Sequence, residues 1–161
     1  MPLNERLRTF LDSNHAEFTL TTHSKAFTAR EVALAERLPP REVAKSVVLF
    51  GDAEYHILVI PASKLVDFQE LRQALGLSQA RLATEDEIGR LFPDCELGAM
   101  PPFGSLYGLP VYLDASLAGE PIIAFNAGTH LEVIHMPTAE FRRLATPVIV
   151  SLVREPALHH W

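Results

Sequence analysis

The chain is poor in the residues and segments that mark several large protein classes. It has one cysteine, Cys95, among 161 residues, which excludes an internal disulfide framework and predicts a reducing, cytoplasmic compartment. No apolar run approaches the roughly 20 residues of a membrane-spanning helix, and the N-terminus lacks the basic and apolar regions of a secretory signal. Because no repeat, low-complexity tract or linker occurs, we expect one domain over residues 1–161 and no membrane partner.

Positive charge is also scarce. The formal net charge is −6, and only three of the 14 basic residues are lysines. Proteins that bind long nucleic acids neutralise many phosphates, so this charge argues against DNA and against an extended RNA surface. Recognition of one nucleic-acid end through a small local site is still compatible with it.

Motifs for a cofactor, a metal or a catalytic nucleophile are absent. The sequence has no G-x-S-x-G, no P-loop and no G-x-G-x-x-G motif, and its seven histidines are scattered without metal-ligand spacing. Cys95 lies between Asp94 and Glu96, whose charges raise a thiol pKa and reduce its reactivity. We therefore expect no cofactor, no metal site and no protein nucleophile. An enzyme with this sequence works by positioning and electrostatics.

The hydrophobic pattern predicts helices and strands in irregular alternation. Capping boxes occur at Thr28–Glu31 and Thr84–Glu87, and Asp67 and Gly76 bracket a third helix. Gly51-Asp52-Ala53 separates two apolar runs as a hairpin turn. Strands are predicted at 18–22, 43–50, 54–60, 111–113, 121–125, 130–136 and 148–153, and helices also near residues 3–11 and at 138–144. Irregular alternation favours a mixed α/β domain with a mixed sheet over a regular parallel βαβ series.

Lys45 lies in an apolar run, Ala44 to Phe50, that reads as a strand. Lysine is rarely buried without a partner. Alternation along a strand places it on the face of Val47 and Leu49. Lys45 is therefore a candidate cation at the mouth of a pocket that binds a phosphate, carboxylate or carbonyl oxygen. The alternative is a sheet-edge lysine whose stem packs while its ammonium reaches water.

Two glycine-containing segments offer backbone N–H groups for the same pocket. Gly98 to Gly104 contains two glycines around two prolines, a composition suited to a rigid cradle for an oxygen atom. The second segment, Asn126 to Thr129, is a predicted turn before a strand with His130 and Glu132 on one face. A plain surface turn at the first segment, and structural roles for His130 and for His23, are the alternatives.

These elements, in this order, resemble the YbaK/ProX family of aminoacyl-tRNA deacylases, the editing domain also found inserted in some prolyl-tRNA synthetases. The matching stretches cover much of residues 18 to 145 and are Thr22-His23-Ser24-Lys25-Ala26-Phe27-Thr28, Ala44-Lys45-Ser46-Val47-Val48, Gly98-Ala99-Met100-Pro101-Pro102-Phe103-Gly104 and Phe125-Asn126-Ala127-Gly128-Thr129-His130. The resemblance implies a largely antiparallel, curved sheet surrounded by helices.

The resemblance also implies an activity: hydrolysis of the ester between a wrong amino acid and the 3′ end of a tRNA. It implies catalytic roles for Lys45 and Gly98. The implied substrate contacts are His23, Phe27, Ser46, Ala99, Met100, Pro101, Pro102, Phe103, Gly104, Gly128, Thr129 and His130. The implied partners are the aminoacyl-tRNA 3′ end and, as a second candidate, an aminoacyl-tRNA synthetase.

Two departures leave the edited amino acid open. The alanine-editing branch tends to carry asparagine after the lysine and the cysteine-editing branch threonine, whereas this chain has Ser46. Met100-Pro101-Pro102 matches neither branch well. A non-catalytic module that binds an aminoacyl-tRNA end or a synthetase, and an unrelated small-ester hydrolase, are the alternative functions.

Overall fold

A computed structural model describes residues 4–23 and 29–154 of the chain. Within these ranges there are six α-helices and ten strands. The helices are α1 (Glu5–Ser13), α2 (Ala29–Glu36), α3 (Phe68–Leu75), α4 (Glu85–Leu91), α5 (Ala115–Ala118) and α6 (Thr138–Ala145). The strands are β1 (Thr19–Thr22), β2 (Ala44–Gly51), β3 (Glu54–Pro61), β4 (Leu65–Val66), β5 (Ala80–Leu82), β6 (Val111–Asp114), β7 (Ile122–Asn126), β8 (Glu132–Pro137), β9 (Val148–Val150) and β10 (Val153–Arg154).

The strands form three sheets. The largest has the order β5-β2-β3-β6-β9, with antiparallel pairs on the β5 side and parallel pairs on the β9 side. The second, β1-β8-β7, is antiparallel throughout, and the third is the short antiparallel pair β10-β4. The mixed α/β class predicted from the sequence is confirmed. The division into three sheets could not be read from it.

The two larger sheets meet at one parallel bridge between Val43 and Ala124. β2 continues from this bridge toward Gly51, where it pairs with β5. β7 continues toward Asn126 and ends in the turn that precedes β8. This bridge therefore marks the line where the two sheets adjoin.

Most of the predicted end signals are confirmed. Asp67 accepts a hydrogen bond from the Glu70 N–H at the start of α3 (3.0 Å), and Gly76 ends that helix with φ +69°. Thr84 and Glu87 form the predicted capping box of α4. The capping box at Thr28 lies outside the described residues.

Two strand predictions are corrected. β8 begins at Glu132 rather than at His130, because the backbone N–H of His130 is bonded to a neighbouring loop and not to β7. The predicted strand 148–153 is two strands, since the N–H of Leu152 turns inward to the Asp114 carboxylate at 2.8 Å. The sequence also gave no signal for β5 or for the single-turn helix α5.

The largest core cluster fills the space among α1, α6 and one face of both larger sheets. Its centre is aromatic: the Phe103 ring lies 5.5 Å, centroid to centroid, from both Phe125 and Phe141. Side chains of α2 cover the other face of the β1-β8-β7 sheet, and α3 packs on the other face of β2 and β3. No helix in the described ranges is long and apolar enough to cross a bilayer.

Candidate active site

One edge of β2 is bonded to neighbouring segments at both ends, and the candidate site lies along the stretch between these two contacts. At one end Val43 bridges to Ala124, and at the other the Val48 carbonyl accepts the Ala83 N–H at 2.9 Å. Backbone groups of alternate residues point to the same edge of a strand. The N–H and C=O of Ser46 therefore point to the same edge as the carbonyl of Val48.

Two loops are bonded to each other near this edge. The Glu96 N–H donates to the Gly128 carbonyl (2.8 Å), and the Gly128 N–H donates to the Ala99 carbonyl (2.9 Å). The His130 N–H donates to Glu96 Oε1 (2.6 Å), and its Nε2 lies 2.7 Å from the Leu97 carbonyl. A carbonyl can only accept, so Nε2 carries the proton. We call these cross-linked segments, 94–100 and 127–131, the paired loops.

Gly98 is the one residue between positions 98 and 104 that is exposed; residues 99–104 are buried. A plain surface turn is thus excluded for this segment. Gly98 has φ +86°, a conformation that favours glycine. The Ala99 N–H donates a hydrogen bond to the Glu96 carbonyl. Within the described part of the chain, the N–H groups of Gly98 and Met100 donate to no backbone carbonyl.

A cavity of about 250 Å³ opens beside Gly98. Its polar lining residues are Ser46 and Glu85, and two further lining residues, Leu82 and Leu97, are about half exposed. The remaining lining residues are Val47, Val48, Ala83, Ile88, Gly98 and Met100. Of the sequence-predicted site residues, this cavity brings together Ser46, Gly98 and Met100.

Lys45 is half-buried and lies opposite Ile60 in the β2-β3 pair. Ala44 and Val48 pack into the largest core cluster, whereas Val47 packs against the cluster of α3. Lys45 thus lies on the face of β2 that does not carry Ser46, and it does not line the cavity beside Gly98.

Asn126 is a candidate that sequence reasoning did not single out. Val43 and Ala124 form an isolated parallel bridge, and Lys45 and Asn126 each follow two residues later on the same face of their strands. Asn126 Oδ1 is buried, and among the described residues it has no hydrogen-bond partner. A buried acceptor without a partner calls for an explanation, so Asn126 is a candidate for contact with a ligand. An asparagine before a glycine turn reads from sequence as turn chemistry alone.

His23 lies in a buried polar group on the α2 side of the β1-β8-β7 sheet. The backbone N–H of His23 donates to the Leu131 carbonyl (3.0 Å), and its ring Nε2 is 4.0 Å from Glu36 Oε2. Glu36 Oε1 also accepts from the Thr21 hydroxyl (2.6 Å) and faces His135 Nε2 (2.9 Å). The structure therefore places His23 beside Glu36, with its backbone bonded to one of the paired loops.

Phe103 and Gly104, predicted as substrate contacts, are packed in the interior of this structure. Phe103 is fully buried among other phenylalanine rings. A Cβ on Gly104 would lie 2.1 Å from the Leu109 carbonyl oxygen, so this glycine is required by a close backbone approach. Both positions are buried in this structure.

Several other predicted contacts are buried or engaged within the protein. The Thr129 hydroxyl donates to Glu132 Oε1 (3.2 Å) and accepts the Leu131 N–H (3.3 Å). Pro101 and Pro102 are buried, and Ala99 is fully so. Gly128 has φ +95°, as the turn requires. Phe27 and the terminal histidines lie outside the described residues.

Cys95 is a weak nucleophile for a reason only partly visible in the sequence. Burial raises the pKa of its thiol to about 11. The hydrogen bond between Cys95 and Tyr107 lowers this pKa, and the nearby charge of Asp94 raises it further. The predicted direction is right, but burial rather than the flanking charge is the main cause. Among residues 4–23 and 29–154, no group of three or more His, Cys, Asp or Glu is placed to hold a metal ion.

Known proteins resemble this chain in sequence and in fold. The chain is 28% identical over 156 residues to the multifunctional Ser/Thr-tRNA deacylase ProXp-y of Escherichia coli (strain K12), covering 94% of this chain and 93% of that protein. A crystal structure of a candidate trans-editing enzyme for prolyl tRNA synthetase superimposes with a TM-score of 0.82 at 24% identity, covering 96% and 98% of the two chains. A crystal structure of a hypothetical protein gives 0.84 at 17% identity, covering 93% and 100%.

The family itself is defined by a longer stretch of sequence than any of the motifs above. Residues 23–144 match the model of the aminoacyl-tRNA editing domain. This range contains Lys45, the paired loops and Asn126. The expectation of an enzyme that hydrolyses aminoacyl-tRNA esters is thus confirmed for the family. The chain belongs to the aminoacyl-tRNA editing domain family.

Proposed function

We propose that the protein is a trans-editing hydrolase that cleaves the ester of mischarged aminoacyl-tRNA without a protein nucleophile. The observation that carries this proposal is the position of Gly98. It is exposed beside a cavity, its N–H is unused by backbone carbonyls of the described residues, and it lies on a loop fixed by its neighbour. A preset N–H of this kind stabilises an oxyanion at little reorganisation cost.

In the proposed reaction a water molecule adds to the ester carbonyl carbon. The carbonyl oxygen gains negative charge, which the N–H groups of Gly98 and Met100 stabilise. The bond from carbon to the ribose oxygen then breaks, and the ribose oxygen takes a proton from the attacking water. The products are the free amino acid and a tRNA with a free terminal hydroxyl. Lys45 lies outside the cavity beside Gly98, on the other face of β2, so we assign its positive charge to the terminal portion of the substrate beyond the ester.

The proposed partners follow from the same site. The 3′ end of an aminoacyl-tRNA supplies the ester, and an aminoacyl-tRNA synthetase is a candidate to deliver it, as the prolyl-tRNA synthetase association of a structural relative suggests. Seryl and threonyl esters are the first to test, because the E. coli relative is named for them. We also propose that residues 1–161 act as one deacylase domain in the cytoplasm, where charged tRNA is used.

A panel of mischarged tRNAs tests the proposal directly. The protein is incubated with tRNAs that carry a labelled amino acid, and loss of the label is followed over time. We expect release of at least one amino acid well above the spontaneous rate. Tight binding without release would instead support a non-catalytic binding module. Hydrolysis of simple esters with no activity on any charged tRNA would support an unrelated esterase.

A further inference from the structure

The start of helix α1 contacts both of the paired loops. Asn4 caps the helix, since its Oδ1 accepts the Leu7 N–H at 3.0 Å. The Nδ2 of the same side chain donates to the Asp94 carbonyl at 2.7 Å, at the start of the loop that carries Gly98. A single side chain thus joins the helix to the first loop.

The same residue meets the second loop by close packing. A Cβ placed on Gly128 would lie 3.2 Å from the Cβ of Asn4. Gly128 is the residue whose carbonyl and N–H make two of the bonds between the paired loops. Asn4 therefore lies where the two loops are joined, although more than 90 positions separate it from Gly98.

A second set of contacts holds Asp94 itself. Arg6 Nε lies 3.4 Å from Asp94 Oδ2, and the Tyr107 hydroxyl donates to Asp94 Oδ1 at 3.0 Å. The guanidinium of Arg6 also lies 4.9 Å from the centre of the Tyr107 ring. Burial raises the pKa of Tyr107, so its hydroxyl stays protonated and remains a donor.

We propose that Asn4 is a positioning residue for deacylation: through Asp94 and Gly128 it sets the distance between the paired loops and so the placement of the Gly98 N–H. This inference rests on the proposed function above. A displacement of about 1 Å in a catalytic group can cost about 10² in rate. The loss should therefore appear in kcat, while substrate binding and overall stability change little.

The chain offers a matched pair of variants on one helix. Asn4→Ser keeps a good cap for α1 but is too short to reach Asp94. Asn14→Ser removes a similar bond at the other end of α1, where Asn14 Nδ2 donates to the Phe10 carbonyl at 2.8 Å. Tyr107→Phe removes the hydroxyl that holds Asp94 and serves as a second, independent variant.

Two measurements decide the proposal. The first is amide hydrogen exchange of the free protein, at the N–H groups of Glu96 and Gly128, with the buried Ile57 N–H as reference. We expect exchange about tenfold faster at the first two in Asn4→Ser and unchanged exchange in Asn14→Ser. The second is steady-state deacylation, where we expect a 10- to 100-fold lower kcat and a KM within about twofold for Asn4→Ser. Tyr107→Phe should shift both readouts in the same direction.

Unchanged exchange at Gly128, or an unchanged kcat despite faster exchange, would overturn the positioning role. A rise in KM alone would overturn it as well, because that indicates a binding contact. If the unmodified protein hydrolyses no charged tRNA, the proposed function fails. The exchange measurement needs no substrate, so it still decides whether Asn4 holds the paired loops.

Discussion

Replacing Gly98 by alanine perturbs the proposed oxyanion donor without removing any side-chain contact. A Cβ at this position would lie 3.4 Å from His130 Cε1, an ordinary contact distance, so there is space for it. The cost comes from φ +86°, a conformation that L-residues adopt at about 1–2 kcal/mol. For a domain of this size that corresponds to a fall in Tm of about 2–8 °C.

The activity should fall by more than this stability cost explains. An alanine relaxes its strained dihedrals by rotating the peptide, which turns the Gly98 N–H away from the developing oxyanion. Loss of one such donor lowers kcat by about 10²–10³. Gly108→Ala is the matched control, because Gly108 has φ +69° and open space around its Cβ position. It should show a similar fall in Tm with nearly unchanged kcat.

Single-turnover deacylation with a hydrolysable charged tRNA, measured well below the Tm of every variant, separates the two effects. The reasoning is refuted if Gly98→Ala retains near-normal turnover, or if Gly108→Ala loses as much. A Gly98→Ala variant that changes only KM would place the glycine in binding rather than in oxyanion stabilisation.

Four further predictions follow from individual residues and from the charge of the chain. Lys45→Ala should lower deacylation by about 100-fold, the value of a hydrogen bond to a charged group, with little change in Tm. Lys64→Ala should leave deacylation nearly unchanged, and equal losses in the two variants would refute a site role for Lys45. Cys95→Ala should remain active, and alkylation of Cys95 should be slow at pH 8 and accelerate toward pH 11, where its thiol ionises. Because the folded pKa exceeds the ordinary 9.0, the thiol's contribution to stability should be fully present below pH 9 and be lost as the pH rises from 9 to about 11. Asn126→Leu should lower deacylation. It should keep or raise the Tm, since an unsatisfied buried acceptor costs about 1–3 kcal/mol, and a large fall in Tm would show that the amide is a structural partner. Uncharged tRNA should bind weakly and with a shallow salt dependence, because the slope of log affinity against log salt concentration is about −0.7 to −0.9 per neutralised phosphate and we expect few such contacts. Submicromolar binding at physiological salt with a steep slope would reveal an extended RNA surface.

Local chemistry made the helix ends and the β2-β3 hairpin predictable. Asp67, Gly76 and Thr84 act on backbone groups within four positions of themselves, so their roles are visible in a short window of sequence. The turn at Asp52 and Ala53, where both residues have positive φ, is local in the same sense.

The site was harder to predict because its geometry depends on distant partners. The sequence pointed to Gly98. It did not show that Phe103 and Gly104 are buried, because Phe103 packs on the distant Phe125 ring and Gly104 approaches the Leu109 carbonyl only in the folded chain. The start of β8 moved because Glu96, 34 positions before His130, binds the His130 N–H. Neither Asn4 nor Asn126 could be predicted as a site residue from the sequence. The contacts of Asn4 with Asp94 and Gly128, and the burial of Asn126 Oδ1, arise only in the folded chain.

The bonds that join the paired loops use backbone atoms and the side chains of Glu96 and His130, which bears on how such a site can change its substrate. The bonds of Glu96, Ala99 and Gly128 do not involve the side chains of Ser46 or Leu82, which face the cavity from another sheet. Mutations at Ser46 and Leu82 can therefore alter the shape and polarity of the cavity while the placement of the Gly98 N–H is inherited unchanged. On the proposed mechanism selectivity and reactivity are therefore separable, and we expect substitutions at Ser46 and Leu82 to change the amino acid preference while the oxyanion donor is kept.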